Sequence, residues 1–149
     1  MNAHDLDTRL AAAVDIVRAA GRLALDYFRR RDALEIEHKG RQDLVSVADR
    51  AVEDLIRREL GRHFPEDGIL GEEGGLEDDG GTSRFWVLDP IDGTFNFLRG
   101  IPHWNISVAL ERDNQFIAGV VYDAAKDELF IAEKGKGAYV NNRRMRVSG

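Results

Sequence analysis

The sequence predicts an α+β fold in which two long helices pack on one mostly antiparallel sheet. Three observations predict it: an amphipathic helical periodicity over residues 5–31, a second one that runs to about residue 63, and a series of short apolar runs after that point. Short polar turns separate several of these runs, as in antiparallel hairpins. The 149 residues are enough for one domain with its own core, so residues 1–149 are treated as one unit.

The first helix predicted is residues 5–31, where apolar residues recur at helical spacing and three arginines close the last turn. The second has an apolar stripe from Ala48 to Leu60 and ends before Phe64 and Pro65. Between the helices, residues 34–38 alternate like a strand, and residues 39–43 form a polar loop.

The rest of the chain predicts mainly strands. Residues 68–71 and 85–88 are short apolar runs, and the glycine-rich acidic residues 74–83 between them predict a mobile surface loop. After a helical turn at 95–98, the remaining runs predict a hairpin and two further strands: 103–111, 115–122, 128–133 and 137–140.

Composition excludes several classes of function. The chain has no cysteine, so disulfides, thiolate zinc sites and cysteine nucleophiles are excluded, which suits the reducing cytoplasm where we expect the protein. A net charge of −6 does not favour nucleic acid as a partner. No apolar run reaches membrane-spanning length, and the N-terminus lacks a signal-peptide pattern, so no membrane association is expected.

Carboxylates follow both short apolar runs. Glu72 comes directly after residues 68–71, while Asp89 and Asp92 come after residues 85–88. If the two strands are parallel neighbours, these acids converge at one edge, where they raise each other's pKa unless a cation neutralises them. Oxygen ligands of this kind suit Mg²⁺, and a two-metal site suits phosphoester hydrolysis. Backbone N–H groups at Gly93 and Thr94 could hold a phosphate.

Structural interpretations of the same residues remain open at this point. The sequence of residues 89–93 is also good turn chemistry, with proline at the second turn position and glycine near the end. Glu72 can equally begin a solvated loop. Asp49 can be only a favourable charge near the first turn of the second helix, and Lys39 only a solvated lysine.

The motifs at residues 71–73, 86–97 and 100–102 together resemble the inositol monophosphatase family, whose members are Mg²⁺-dependent, lithium-sensitive phosphatases. Residues 43–49, with Lys39 before them, and residues 135–141 resemble two further motifs of that family. The resemblance spans nearly the whole chain, and it implies that the chain is the N-terminal half of the family's layered αβαβα sugar-phosphatase fold.

The resemblance also implies a role for each matching residue. Glu72 and Asp89, with the Ile91 carbonyl, would bind a first, activating Mg²⁺, and Asp89 with Asp92 would bind a second. Gly93 and Thr94 would hold the substrate phosphate, with Asp92 and Lys39 as further substrate-binding residues. Glu72 with Thr94 would activate the attacking water, and Asp49 would be a third catalytic residue. The resemblance further places Asp49 and Lys39 beside the waters of the metal site, and gives Glu73 and Pro90 supporting positions.

Two departures from the family pattern stand out. Asn142 replaces a usual glycine, but asparagine tolerates left-handed geometry, so the turn should survive. Family members also continue past residue 149 into a second α/β half that supplies another aspartate and most contacts to the substrate alcohol. Without that half, an exposed apolar face is expected, which could drive association, and we expect a homodimer.

The function expected is hydrolysis of a small phosphorylated polyol, most simply inositol monophosphate, with Mg²⁺ as cofactor. Relatives that cleave histidinol phosphate, fructose bisphosphate or adenosine bisphosphate share this chemistry. An alternative from another class is a non-catalytic regulatory module associated with transcription. The chain alone is expected to hydrolyse phosphate esters weakly or not at all.

Overall fold

The structure, a computed structural model, describes residues 1–33, 38–72, 74–77 and 81–149, and the side chains of residues 31–33 and 38–43 fall outside that description. Within it, three helices accompany one eight-stranded sheet. The helices are α1 (Ala3–Ala33), α2 (His38–His63) and α3 (Thr94–Arg99). The strands are β1 (Gly68–Gly71), β2 (Gly75–Glu77), β3 (Arg84–Asp92), β4 (Asn105–Arg112), β5 (Gln115–Asp123), β6 (Glu128–Glu133), β7 (Gly137–Val140) and β8 (Arg143–Met145).

The two long helices pack against each other and against the central strands β3, β4 and β5. Each contributes a stripe of small or branched apolar side chains at helical spacing, as the sequence predicts. The fully buried members of these stripes are Val17, Ala20, Ala24, Ala48, Val52, Ile56 and Leu60. They meet alternate residues of the strands, among them Trp86, Ile106 and Val120. The predicted fold class, helices on a mostly antiparallel sheet, is confirmed.

The sheet order is β2-β1-β3-β4-β5-β6-β7-β8. Among the described strands, β1 and β3 are the parallel pair, and every other neighbouring pair is antiparallel. The β4–β5 hairpin turns at Asp113 and Asn114, both with positive φ, which suits the twist of a tight hairpin. Asn142 likewise has φ 68°, so its predicted left-handed geometry is confirmed, and it leads into the unpredicted strand β8.

Two expectations about the elements were wrong. Residues 39–43 are not a loop, because α2 begins at His38; its first turns are rich in Lys, Arg and Gln, which are good helix formers. Residues 75–77 form β2 instead of a mobile loop, because Gly75 turns the chain back with φ 68° to pair with β1. Residues 34–37 and 78–80 lie outside the described residues. The strand predicted at residues 34–38 therefore stays a prediction, apart from His38, which belongs to α2.

Strand β3 is longer than the predicted run of residues 85–88, because β4 continues to pair with it beyond that point. Asp89 faces Ser107 and Asp92 faces Asn105, with an irregular register between them. Pro90 lies within this irregularity, where a missing N–H donor is tolerated. The acidic residues therefore belong to the strand end itself and not to a free turn.

The sheet face away from the helices carries apolar side chains. Val121, Phe130, Ala132 and Met145 line a shallow apolar depression there, and Met145 is 41% exposed. This agrees with the expected exposed apolar face. None of the helices in the described part of the chain has the length and apolar character needed to cross a membrane.

Candidate active site

The parallel pairing of β1 with β3 brings the acidic strand ends together. Gly71 is the register partner of Leu88, so the residues that follow them, Glu72 after the end of β1 and Asp89 within β3, are neighbours at this end of the strands. This is the condition on which the predicted convergence of carboxylates depended. The Glu72 carboxyl group is near enough to raise the pKa of Asp89.

The electrostatics of Asp89 reflect this crowding. Partial burial, followed by the negative charges of Glu72 and then Asp92, raises the pKa of Asp89 to about 6 from an ordinary value of 3.8. The backbone N–H of Ile91 favours the charged carboxylate and so lowers the pKa of Asp89, against the other effects. Crowded acids of this kind favour either a retained proton or a bound cation.

The carboxylate oxygens at this site fit Mg²⁺ in part. Oδ1 of Asp89 is buried and has no hydrogen-bond partner among the described residues, so it is an acceptor without a donor. Carboxylate oxygens are the ligands that Mg²⁺ prefers. In the described part of the chain, however, no three His, Asp or Glu side chains are already arranged as a complete metal-binding group. The described residues thus bring carboxylates together without forming a closed cage.

The predicted phosphate-binding turn follows directly. Gly93 precedes α3 with φ 94°, and a Cβ at this position would lie 3.1 Å from the His103 carbonyl oxygen, so glycine is required. Thr94 is the first residue of α3 and is exposed. The Asn96 side chain donates to the same His103 carbonyl at 2.8 Å, which fixes α3 against the start of β4.

Aromatic packing supports this turn from inside. The Phe97 ring is fully buried and lies 5.0 Å from the Trp104 ring, and both contact Phe28 of α1. Edge-to-face and tilted pairs of this kind hold rings in defined orientations. The turn at residues 93–94 therefore rests on a rigid base.

Asp49 lies at a different point along α2 from the one that the sequence predicts. Asp49 is 7% exposed and lies well inside α2, not near its first turn, because the helix begins at His38. Val45, one turn before it, lines a groove shared with Thr94, so this side of α2 borders the candidate site. The Lys39 side chain and Glu73 lie outside the described residues.

Two residues that sequence reasoning missed contact the turn that carries Glu72. Glu53 and Arg57 on α2 form an ion pair with Nε–Oε2 of 3.1 Å, and Glu53 is 1% exposed. The available signal was a Glu–Arg pair, four residues apart, set within the apolar stripe of Val52 and Ile56. Such a pair usually decorates a helix surface, so its burial could not be read from the sequence.

Comparison with known proteins places this arrangement in context. The model of the inositol monophosphatase family matches residues 5–149. The inositol-1-monophosphatase of Rhizobium meliloti (strain 1021) is 47% identical over 140 residues, which cover 93% of this chain and 52% of that protein. The Nus factor SuhB of Xylella fastidiosa is 42% identical over 135 residues, covering 91% of this chain and 48% of that protein.

Solved structures agree in fold. The crystal structure of the extragenic suppressor protein suhB from Bartonella henselae matches with a TM-score of 0.83 at 38% identity, covering 95% of this chain and 54% of that one. The chain spans about half the length of the curated relatives it matches.

Proposed function

The chain belongs to the inositol monophosphatase family, and on that premise we propose that it is the metal- and phosphate-binding part of a Mg²⁺-dependent phosphomonoesterase. The proposed substrate is a small phosphorylated polyol, with inositol monophosphate as the first candidate. The observation that carries the proposal is the parallel register of β1 and β3, which brings Glu72 beside Asp89, whose buried Oδ1 has no hydrogen-bond partner among the described residues.

The proposed ligands are the converging oxygens of this edge. Glu72, Asp89 and the Ile91 carbonyl would hold one Mg²⁺, and Asp89 with Asp92 a second. When bound, the ions neutralise the crowded carboxylates, polarise the phosphate and lower the pKa of water. The unpartnered Oδ1 of Asp89 supports this assignment, because a cation would satisfy it.

Groups of this chain would bind the phosphate and activate the attacking water. Backbone N–H groups of Gly93 and Thr94 would hold the phosphate, since they lie at the start of α3, where no side chain caps the helix. The Thr94 hydroxyl would orient the attacking water, and a Glu72 carboxylate oxygen would accept its proton. Asp49 and Lys39 are proposed to border the site and to order water around it.

We propose that a second α/β half, outside residues 1–149, completes the site. The apolar depression near Val121 and Met145 supports this, because such a face is normally covered. Residues 1–149 alone should then release phosphate weakly or not at all in Mg²⁺ buffer, and turnover equal to that of the full-length protein would contradict the proposal. The proposed setting is the cytoplasm, and the proposed assembly is a homodimer, which light scattering would test.

The activity is tested on the full-length protein by phosphate release in Mg²⁺ buffer, with inositol, histidinol, fructose and adenosine phosphates as substrates. Asp89→Asn should reduce turnover of the preferred substrate on the order of a hundredfold or more, because it removes charge stabilisation in the transition state. Asp54→Asn, an equal charge change at an exposed position of α2, is the control. Unchanged turnover in Asp89→Asn would contradict the proposal, and lithium should inhibit the wild type.

A regulatory role is the second candidate, favoured by the relative named Nus factor SuhB. Asp89→Asn separates the two roles in a cell that depends on the natural protein. If the cellular effect disappears with the substitution, chemistry is required. If the effect persists while phosphate release is lost, the regulatory role is supported.

A further inference from the structure

The Glu53–Arg57 pair lies inside the protein, between α2 and the turn that joins β1 to β2. The two side chains are 1% and 10% exposed. A buried ion pair is maintained only when its remaining hydrogen-bonding groups are satisfied, because desolvation of two charges is costly. The remaining hydrogen-bonding groups of both side chains therefore need partners.

Both side chains bind the main chain of the β1–β2 turn. The backbone N–H of Gly74 donates to Oε2 of Glu53 at 2.5 Å, and Arg57 Nη2 donates to the carbonyl oxygen of Gly75. On the other side of the turn, a Cβ built on Gly71 would clash with Glu53 Oε1, so the end of β1 packs directly against the same carboxylate.

Glu72 lies within the segment that these contacts hold. Gly71 precedes it, and the Gly74 and Gly75 contacts follow within three residues. Because Gly71 is paired in the sheet before Glu72 and Gly74 donates to Glu53 after it, the direction in which the Glu72 side chain leaves the turn is restricted. Its partner Asp89 is held separately by β3, so the distance between the two carboxyl groups depends on the position of this turn.

We propose that Glu53 and Arg57 are positioning residues that hold Glu72 against Asp89 and thereby set the affinity of the site for divalent cation. The metal in this statement rests on the proposed function, whereas the contacts to the turn do not. Outer groups that orient metal ligands typically change metal affinity by about 10- to 100-fold when removed.

The test is Mg²⁺ titration calorimetry on the full-length protein, with melting temperature recorded for each variant. Glu53→Gln keeps the shape and an acceptor for Gly74 but removes the charge that holds Arg57, and it should weaken Mg²⁺ binding by about tenfold or more. Glu59→Gln, on the same helix and paired with Arg62 at the surface, is the matched control and should bind as wild type.

A double-mutant cycle distinguishes positioning from general stability. If Glu53 acts through Glu72, then adding Glu53→Gln to Glu72→Gln should cause no further loss of Mg²⁺ affinity. Additive losses would overturn the inference, and so would a wild-type Mg²⁺ affinity in Glu53→Gln accompanied only by a lower melting temperature. Absence of Mg²⁺ binding in the wild type would instead overturn the proposed function.

A second variant covers the case in which Glu53→Gln does not fold. Replacing the pair together, Glu53→Met with Arg57→Met, exchanges two buried charges for apolar side chains, which proteins often accept without loss of stability. The contacts to Gly74 and Gly75 disappear in this variant. Weaker Mg²⁺ binding in the folded double variant supports the inference, and wild-type binding overturns it.

Discussion

Glu72 and Asp89 follow the paired residues Gly71 and Leu88 on neighbouring strands, although 17 positions (89 − 72) separate them in the sequence. They meet because β1 and β3 are parallel, with β1 ending at Gly71 where Asp89 continues β3. Acids crowded in this way favour a retained proton or a bound cation, and this choice governs how the site responds to pH and to metal.

Mg²⁺ affinity should decrease as pH falls through about 6. Burial, with the neighbouring charges of Glu72 and Asp92, raises the pKa of Asp89 to about 6 in the metal-free protein, and metal binding needs the ionised carboxylate. Below that pH, protons compete with the ion. Mg²⁺ titrations between pH 5 and pH 8 should show this, and an apparent Kd that does not change over the range would contradict it.

In buffer with chelator, Asp89→Asn should stabilise the protein at pH 7.5. The folded pKa of Asp89 lies above its ordinary value of 3.8, so the native state holds more protons between these values and stability falls as pH rises from about 4 to about 6. Asparagine removes this cost, with a gain of ~1 kcal/mol, kept small because water screens a partly exposed carboxylate. Urea unfolding measures it; equal or lower stability of the variant would argue against the crowding.

Gly93→Ala should destabilise the protein by ~2 kcal/mol and weaken phosphate binding. The position has φ 94°, which strains any residue with a Cβ, and the added methyl would press on the His103 carbonyl at 3.1 Å. Gly81→Ala is the control, because a Cβ there meets open space and φ is not positive. Thermal unfolding and inorganic phosphate binding are the measurements. A variant as stable as Gly81→Ala would refute this description of the turn.

Asp67→Asn should cost ~3 kcal/mol of stability, because it leaves the buried guanidinium of Arg9 without a counter-charge. The Asp67 carboxylate is fully buried and accepts from Arg9 at 2.8 Å and from the Trp86 indole at 3.1 Å, while Arg84 lies at 3.0 Å. This network joins the start of α1 to β1 and β3, away from the metal edge. Chemical denaturation should therefore show a lower midpoint with little change in Mg²⁺ affinity; a loss below 1 kcal/mol would contradict the proposed importance of the network.

Elements with a clear hydrophobic pattern and clear boundary residues could be predicted from the sequence. Strands β1, β6 and β7 match the expected ranges at both ends, because apolar runs end at glycine or charged residues. Strands β2 and β8 were not predicted. Each has three residues, too few to show a hydrophobic alternation, and each forms only by pairing at one edge of the sheet.

The candidate site likewise has one part that the sequence predicts and one part that it does not. The convergence of Glu72 with Asp89 could be anticipated as a condition on strand neighbours, and the parallel register supplies it. The Glu53–Arg57 pair could not be anticipated, because its role depends on the close approach of α2 to Gly71 and Gly74, a tertiary contact. The ligand roles themselves stay predictions, which metal-binding experiments must decide.

The most direct test of the central claim is anomalous diffraction from crystals of the protein soaked with Mn²⁺, a heavier substitute for Mg²⁺. The account predicts an anomalous peak between the Glu72 and Asp89 carboxylates, with metal–oxygen distances of about 2.1 Å. A map with no peak at this edge, and with Glu72 turned away from Asp89, would contradict it.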